Sequence, residues 1–170
     1  MGTTTSRLAA RGLLAATGLA AVVCAVAGCS GSSPVAGRQA AAGSAVPIHA
    51  RSLPGVGTVL VNSSGYTLYM FQPDGQRRVT CTKLCAAVWP PVKISPGARL
   101  VAGPGVRAAL LGSDPDPSGG RVVTYNGWPL YTYRNDVQPG SVNGQDIDLN
   151  GGYWYVMRPS GEPVTERPGG

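Results

Sequence analysis

From residue 56 onward, short apolar runs are broken every few positions by Gly, Pro, Asn, Asp and Ser. That spacing predicts strands and tight turns rather than helices. Residues 58–61 (Thr-Val-Leu-Val) read as a strand and 62–65 (Asn-Ser-Ser-Gly) as a turn. Residues 66–71 return as a second strand, and 72–75 (Gln-Pro-Asp-Gly) turn again. A second hairpin runs through 121–125, Asn126-Gly127 and 128–133. Asn-Gly tolerates the positive φ that both central positions of a type I′ turn require. Pro129 lacks a ladder donor, which predicts an edge position or an outward-facing nitrogen. Residues 153–157 read as the last strand. Between the hairpins, 81–88 read as a short helix or compact loop ended by Trp89-Pro90-Pro91. Residues 92–94 and 99–101 read as short strands, 106–111 as one helical turn, and 113–120 and 136–152 as loops. The predicted fold class is all-β. It is a small antiparallel domain, sandwich- or barrel-like, built from two related hairpin repeats with one or two short helical turns.

The relation between the hairpins is written in the residues. Gly65-Tyr66-Thr67-Leu68-Tyr69-Met70-Phe71-Gln72-Pro73-Asp74 and Gly127-Trp128-Pro129-Leu130-Tyr131-Thr132-Tyr133-Arg134-Asn135-Asp136 share the pattern G-x-x-L-Y-x-[FY]-x-x-D without a gap, 62 positions apart. On a strand, alternate side chains share a face. Leu68 and Leu130 are therefore expected on one face. Tyr69 and Phe71, and likewise Tyr131 and Tyr133, are expected on the other. Packing between sheets accounts for all of these residues, and a carboxylate three positions after the last aromatic is placed to accept backbone N–H groups in a turn. The competing reading is an aromatic, acidic binding groove at the strand ends. Asp74 and Asp136 as a general acid/base pair has no further support in the sequence.

Ahead of the hairpins the pattern changes. Arg7 and Arg11 precede an apolar run of 15 residues, 12–26, which is short for a permanent membrane span. It ends in Val26-Ala27-Gly28-Cys29, which resembles a bacterial lipobox. The resemblance implies cleavage before Cys29 and thioether attachment of diacylglycerol to it, and two acyl chains anchor stably where one does not. Residues 1–28 are thus expected to be a signal peptide and 29–55 a flexible tether rich in Ser, Gly, Ala and Pro. The β domain is expected over 56–160 and a disordered tail over 161–170.

Composition sharpens this little. The chain has 25 glycines, 15 prolines and 13% charged residues, which suits a turn-rich β protein. Its +6 charge is scattered singly apart from Arg77-Arg78, whereas a nucleic-acid surface needs clustered cations and exposed stacking aromatics. No nucleic-acid partner is expected. The expected partners are the membrane, through the lipid, and an envelope protein or polymer.

Of four cysteines, Cys24 lies in the leader and Cys29 in the lipobox, leaving Cys81 and Cys85. Outside the cytoplasm, two thiols so close oxidise readily to each other, closing a loop for about 2 kcal/mol. The alternative is a redox or copper-binding pair, with Met70, Met157 or His49 as further ligands. Asp146-x-Asp148-x-Asn150-Gly151 matches the first half of a calcium loop, but its twelfth position falls on Met157 rather than an acid. The single histidine, His49, falls in the expected tether, and no nucleophile motif, zincin motif or phosphate-cradling loop is present. No enzymatic activity and no cofactor are expected.

Together, the doubled motif, the Cys81/Cys85 pair, Trp89-Pro90-Pro91 and the run from Thr124 to Tyr131 resemble the secreted-repeat lipoproteins. These are bacterial proteins of uncharacterised function that carry a repeated Yx(FWY)xxD motif. The resemblance covers residues 57–158, and the lipobox fits it; the acidic stretch 146–151 departs from it. It implies an envelope location and no particular reaction. The expected function is a lipid-anchored, non-enzymatic binding module, with a small redox or copper protein centred on Cys81 and Cys85 as the alternative.

Overall fold

The computed structural model describes residues 43–165, all within one compact unit. The segments expected as signal peptide and, up to residue 42, as tether, together with Cys29 and the tail from 166, lie outside the described residues. The chain is mostly strand. β1 (Ala45–Leu53) and β2 (Gly57–Asn62) form an antiparallel hairpin, followed by β3 (Tyr69–Phe71) and a 3-10 turn, Gln72–Asp74. A short helix, α1 (Leu84–Val88), leads to β4 (Lys93–Ile94) and β5 (Arg99–Ala102). A second 3-10 turn, Ala108–Leu110, opens β6 (Leu111–Pro115), which pairs with β7 (Arg121–Tyr125). The last strands are β8 (Trp128–Pro129), β9 (Ile147–Asp148) and β10 (Tyr153–Val156).

Three small open sheets result. Their orders are β2-β1-β5, β3-β10-β9 and β4-β7-β6, with β8 also on β7. Asn126 and Gly127 both adopt positive φ, 50° and 80°, in the β7–β8 turn. In the first hairpin, Asn62 Oδ1 accepts the N–H groups of Ser64 and Tyr66, each at 3.0 Å. Side-chain and backbone turn chemistry thus close the two related hairpins in different ways.

Several segments differ from the sequence expectation. Residues 45–53 are not tether but β1, paired antiparallel with β2 and parallel with β5. Its Ala, Pro and polar residues carry little apolar signal, and its hydrogen bonds come from partners distant in sequence. Residues 113–115, expected in a loop, and Leu111, expected to end a helical turn, belong to β6. Its edge is closed by Arg121, which donates to the Ser113 hydroxyl and carbonyl, and by Pro115, which has no N–H. The tail is held further than expected. Val164 is buried, and its N–H donates to the Val156 carbonyl at 2.8 Å.

Two cores lie on opposite faces of the motif strands. Leu68, Met70 and Leu130 join Ile48, Leu60, Val123, Tyr125 and Met157 in one. Tyr69, Phe71, Tyr131 and Tyr133 join Trp89, Trp154, Cys81 and Val156 in the other. β2 and β7 show no in–out alternation because both their faces are covered.

The aromatic core is an ordered stack. Phe71 lies on Trp154 with centroids 4.2 Å apart, Trp154 on Trp89 at 3.9 Å and 1° between planes, and Trp89 on Tyr133 at 4.0 Å. Tyr69 meets Trp89 edge-on at 5.4 Å, and Tyr131 meets Trp154 edge-on at 5.2 Å. Each such contact contributes about 0.5–1.5 kcal/mol beyond area burial. The backbone at Gly144 comes up against this stack. A Cβ there would sit 2.7 Å from Trp89 Cη2 and 2.9 Å from Tyr69 Cε1, both on rings that cannot yield. Gly144→Ala is therefore expected to lower stability by about 1–3 kcal/mol, the usual cost of overpacking. Urea unfolding checks this, and an unchanged midpoint would contradict the rigidity of the stack.

Candidate functional site: the crossed motif and a polar cleft

The two motif tyrosines meet at the centre. Tyr69 N–H donates to the Tyr131 carbonyl and Tyr131 N–H to the Tyr69 carbonyl, both at 2.9 Å. The side chains then cross. Tyr69 Oη donates to Asp136 Oδ2 at 2.6 Å, and Tyr131 Oη to Asp74 Oδ2 at 2.5 Å. The aspartate of each copy serves the tyrosine of the other.

The remaining carboxylate oxygens hold the loops. Asp74 Oδ1 accepts the Thr80 N–H at 2.7 Å and the Thr80 hydroxyl at 2.5 Å; Asp136 Oδ1 accepts the Asn143 N–H at 2.8 Å. The neighbouring strands cross as well. β10, which follows the second motif, pairs with β3 in the first. Residues 88–92, which follow the first motif, pair with the second: Thr132 N–H donates to the Pro90 carbonyl and Arg134 N–H to the Val88 carbonyl, each at 3.0 Å. Trp89 and Trp154 are thus counterparts, one from each of these strands.

All four oxygen-bearing side chains of this cross are nearly inaccessible: Tyr69 0%, Tyr131 0%, Asp74 1% and Asp136 3%. Phe71 and Tyr133 are buried too. The expected aromatic groove at the strand ends is therefore largely closed: Tyr69, Phe71 and Tyr131 are spent in the stack, and Tyr133 is the one of these four rings that lines a surface cleft. Burial is the chief cause raising both carboxyls above their usual range, partly offset by the bonds from Thr80 and Tyr131 to Asp74 and from Tyr69 and Asn143 to Asp136. Burial, with the adjacent carboxylate, likewise pushes both phenols upward.

Cys81 and Cys85 form a disulfide with Cα atoms 5.2 Å apart, which ties the start of α1 to the aromatic core. Met70 and Met157 lie in the opposite core and His49 in β1, so the residues expected as copper ligands are not brought together. Residues 147–154 form the β9–β10 hairpin, with Asn150 and Gly151 at positive φ in its turn. The Asp146, Asp148 and Asn150 pattern is therefore hairpin chemistry. Among the described residues, no three His, Cys, Asp or Glu side chains cluster as a metal site.

Surface chemistry gathers at the turn that opens the second motif copy, away from the crossed tyrosines and aspartates. A cleft of about 460 Å³ runs between residues 76–77, 109–114 and the β7–β8 turn. Its polar lining includes Gln76, Ser113, Asp114, Thr124 and Asn126. Asp114 Oδ2 is buried there and accepts no hydrogen bond. In sequence, Asp114-Pro115-Asp116-Pro117 reads only as a loop. In the structure Asp116 is paired with Lys93, whereas Asp114 lines the cleft.

The buried carboxyls set a pH dependence. A carboxyl raised in the folded state binds its proton more tightly there than in the unfolded chain, so its contribution is present at low pH and lost as pH rises through the folded value. Wild-type melting temperature is expected to fall as pH rises from about 4 to about 8 with a steeper slope than that of Asp74→Asn/Asp136→Asn. Thermal melts across that range check this, and parallel slopes would contradict it.

A family profile described as a secreted repeat of unknown function matches residues 54–93 and 114–158, half of the chain and one match per motif copy. Neither the curated proteins nor the solved structures contain a match. A secreted family places the chain outside the cytoplasm, in the envelope or beyond it. With both repeats matched, the chain belongs to the secreted-repeat family.

Proposed function

We propose that the protein is a lipid-anchored, non-enzymatic binding module of the bacterial envelope. The observation that carries this reading is the polar cleft beside the β7–β8 turn, lined by Gln76, Arg77, Ser113, Asp114, Thr124 and Asn126. These residues supply amide, hydroxyl, carboxyl and guanidinium groups in one cleft. Such a lining matches a hydroxyl- and amine-bearing polymer, as the glycan of a cell wall would be. The lipobox at Cys29 supports attachment at a membrane. The motif tyrosines and aspartates take no part in recognition at this cleft, because they are consumed in holding the two repeats together.

Two measurements test this. The purified protein is expected to co-sediment with insoluble cell-wall glycan, and Asp114→Ala to weaken that binding about tenfold, equivalent to about 1.4 kcal/mol. Equal binding by Asp114→Ala would reject the cleft. Cys29→Ala is expected to move the protein from the membrane fraction to the soluble fraction, and unchanged attachment would reject the lipid anchor.

A further inference from the structure

The aromatic core is also a continuous path for charge. Indole and phenol are the most readily one-electron-oxidised ring side chains in a protein. Trp89 and Trp154 lie face to face at 3.9 Å, so a positive hole on one is shared with the other. Neither indole nitrogen faces a base. Trp89 Nε1 is buried without a hydrogen-bond partner, and Trp154 Nε1 donates only to the Leu149 carbonyl at 3.0 Å. An indole cation radical formed there keeps its proton and remains a strong oxidant.

The two phenols that touch this pair edge-on are arranged in the opposite way. Tyr69, against Trp89, has the Asp136 carboxylate at 2.6 Å, and Tyr131, against Trp154, has Asp74 at 2.5 Å. Each can lose its proton along an existing hydrogen bond as it loses an electron. Burial makes these carboxylates stronger proton acceptors than exposed ones. Tyr133, stacked on Trp89, is 8% exposed and lines a second cleft with Tyr66, Pro90 and Arg134, which gives the stack an outlet to the surface. The Tyr133 hydroxyl is met by the Asn135 amide, which is no base, so a hole has no reason to rest there.

We propose that this core is a one-electron relay in which a hole entering at Tyr133 passes through Trp89 and Trp154 and comes to rest as a neutral radical on Tyr69 or Tyr131. The oxidant is a small diffusing radical or a high-potential metal complex, and it is reduced by one electron. The phenolic O–H bond breaks, the proton forms an O–H bond to Asp136 or Asp74, and no atom leaves the protein. The activity is that of a sink for oxidising equivalents outside the cytoplasm. It goes beyond ligand binding and does not depend on the cleft at Asp114.

The test is pulse radiolysis of the detergent-solubilised full chain with the azide radical as oxidant. Tyr66, Tyr153 and Tyr155 are replaced by Phe in the reference protein, so that solvent-facing phenols contribute no signal. The expected result is an indolyl signal that decays as a tyrosyl signal grows, at a rate independent of protein concentration and slower in D₂O. Adding Tyr69→Phe and Tyr131→Phe is expected to lower the tyrosyl yield about tenfold and prolong the indolyl signal. Trp89→Phe keeps a ring in the stack and is expected to slow tyrosyl growth about tenfold, which decides the matter even if the paired tyrosine variant does not fold. The proposal is overturned by a reference protein without a tyrosyl signal, by an unchanged yield in the folded Tyr69→Phe/Tyr131→Phe protein, or by an unchanged rate in Trp89→Phe.

Discussion

The structure depends on two buried hydrogen bonds that neither repeat can make alone. Tyr69 and Tyr131 face each other across paired backbone bonds, and each phenol reaches the aspartate of the opposite copy. A buried phenol without an acceptor, or a buried carboxylate without a donor, is costly, and a bond to a charged partner contributes about 1.5–3 kcal/mol. The exchange of strands follows from the same arrangement. β10 completes the first motif and residues 88–92 complete the second, which brings Trp154 and Trp89 together in mid-stack. Half of the protein would leave an aspartate, a tyrosine and a tryptophan face unpaired.

The two halves are related without being equal. Thr80 and Asn143 occupy corresponding places, each donating its N–H to the outer oxygen of its aspartate. The next residue is Cys81 in one half and Gly144 in the other. In the first half, the disulfide to Cys85 fixes the loop against the core. In the second, the bare glycine lets the backbone reach the rings of Trp89 and Tyr69, and its N–H donates to Tyr69 Oη at 3.3 Å. The cysteine pair, found after the first motif and not the second, is thus one of two solutions to holding a loop over the same cross.

Local chemistry makes much of this legible in the sequence. The ungapped motif locates both hairpins, period-two alternation assigns Leu68 and Leu130 to one face and the aromatics to the other, and Asn126-Gly127 marks a turn that takes positive φ twice. What stays hidden is what depends on partners distant in sequence. β1 has weak apolar periodicity and is a strand because β2 and β5 flank it. The aspartates look like local turn residues, and one oxygen of each is that; the other oxygen reaches a tyrosine 57 or 67 positions away. Trp89 and Trp154 are 65 residues apart rather than 62, so the motif spacing does not reveal them as counterparts. Asp114 sits in a Pro-rich stretch that reads as a loop, and only the pairing of β6 with β7 brings it to the cleft.

This division of labour bears on function. The motif tyrosines and aspartates build the scaffold, and the cleft beside the β7–β8 turn lies outside their cross. The central claim is that the motif braces one repeat against the other rather than closing on itself. A pair of double-mutant cycles on folding stability tests it most directly, one combining Tyr131→Phe with Asp74→Asn and the other Tyr131→Phe with Asp136→Asn. The account predicts a coupling energy of about 1.5–3 kcal/mol for Tyr131 with Asp74, and close to none for Tyr131 with Asp136. Coupling within the repeat, with none across it, would contradict the account.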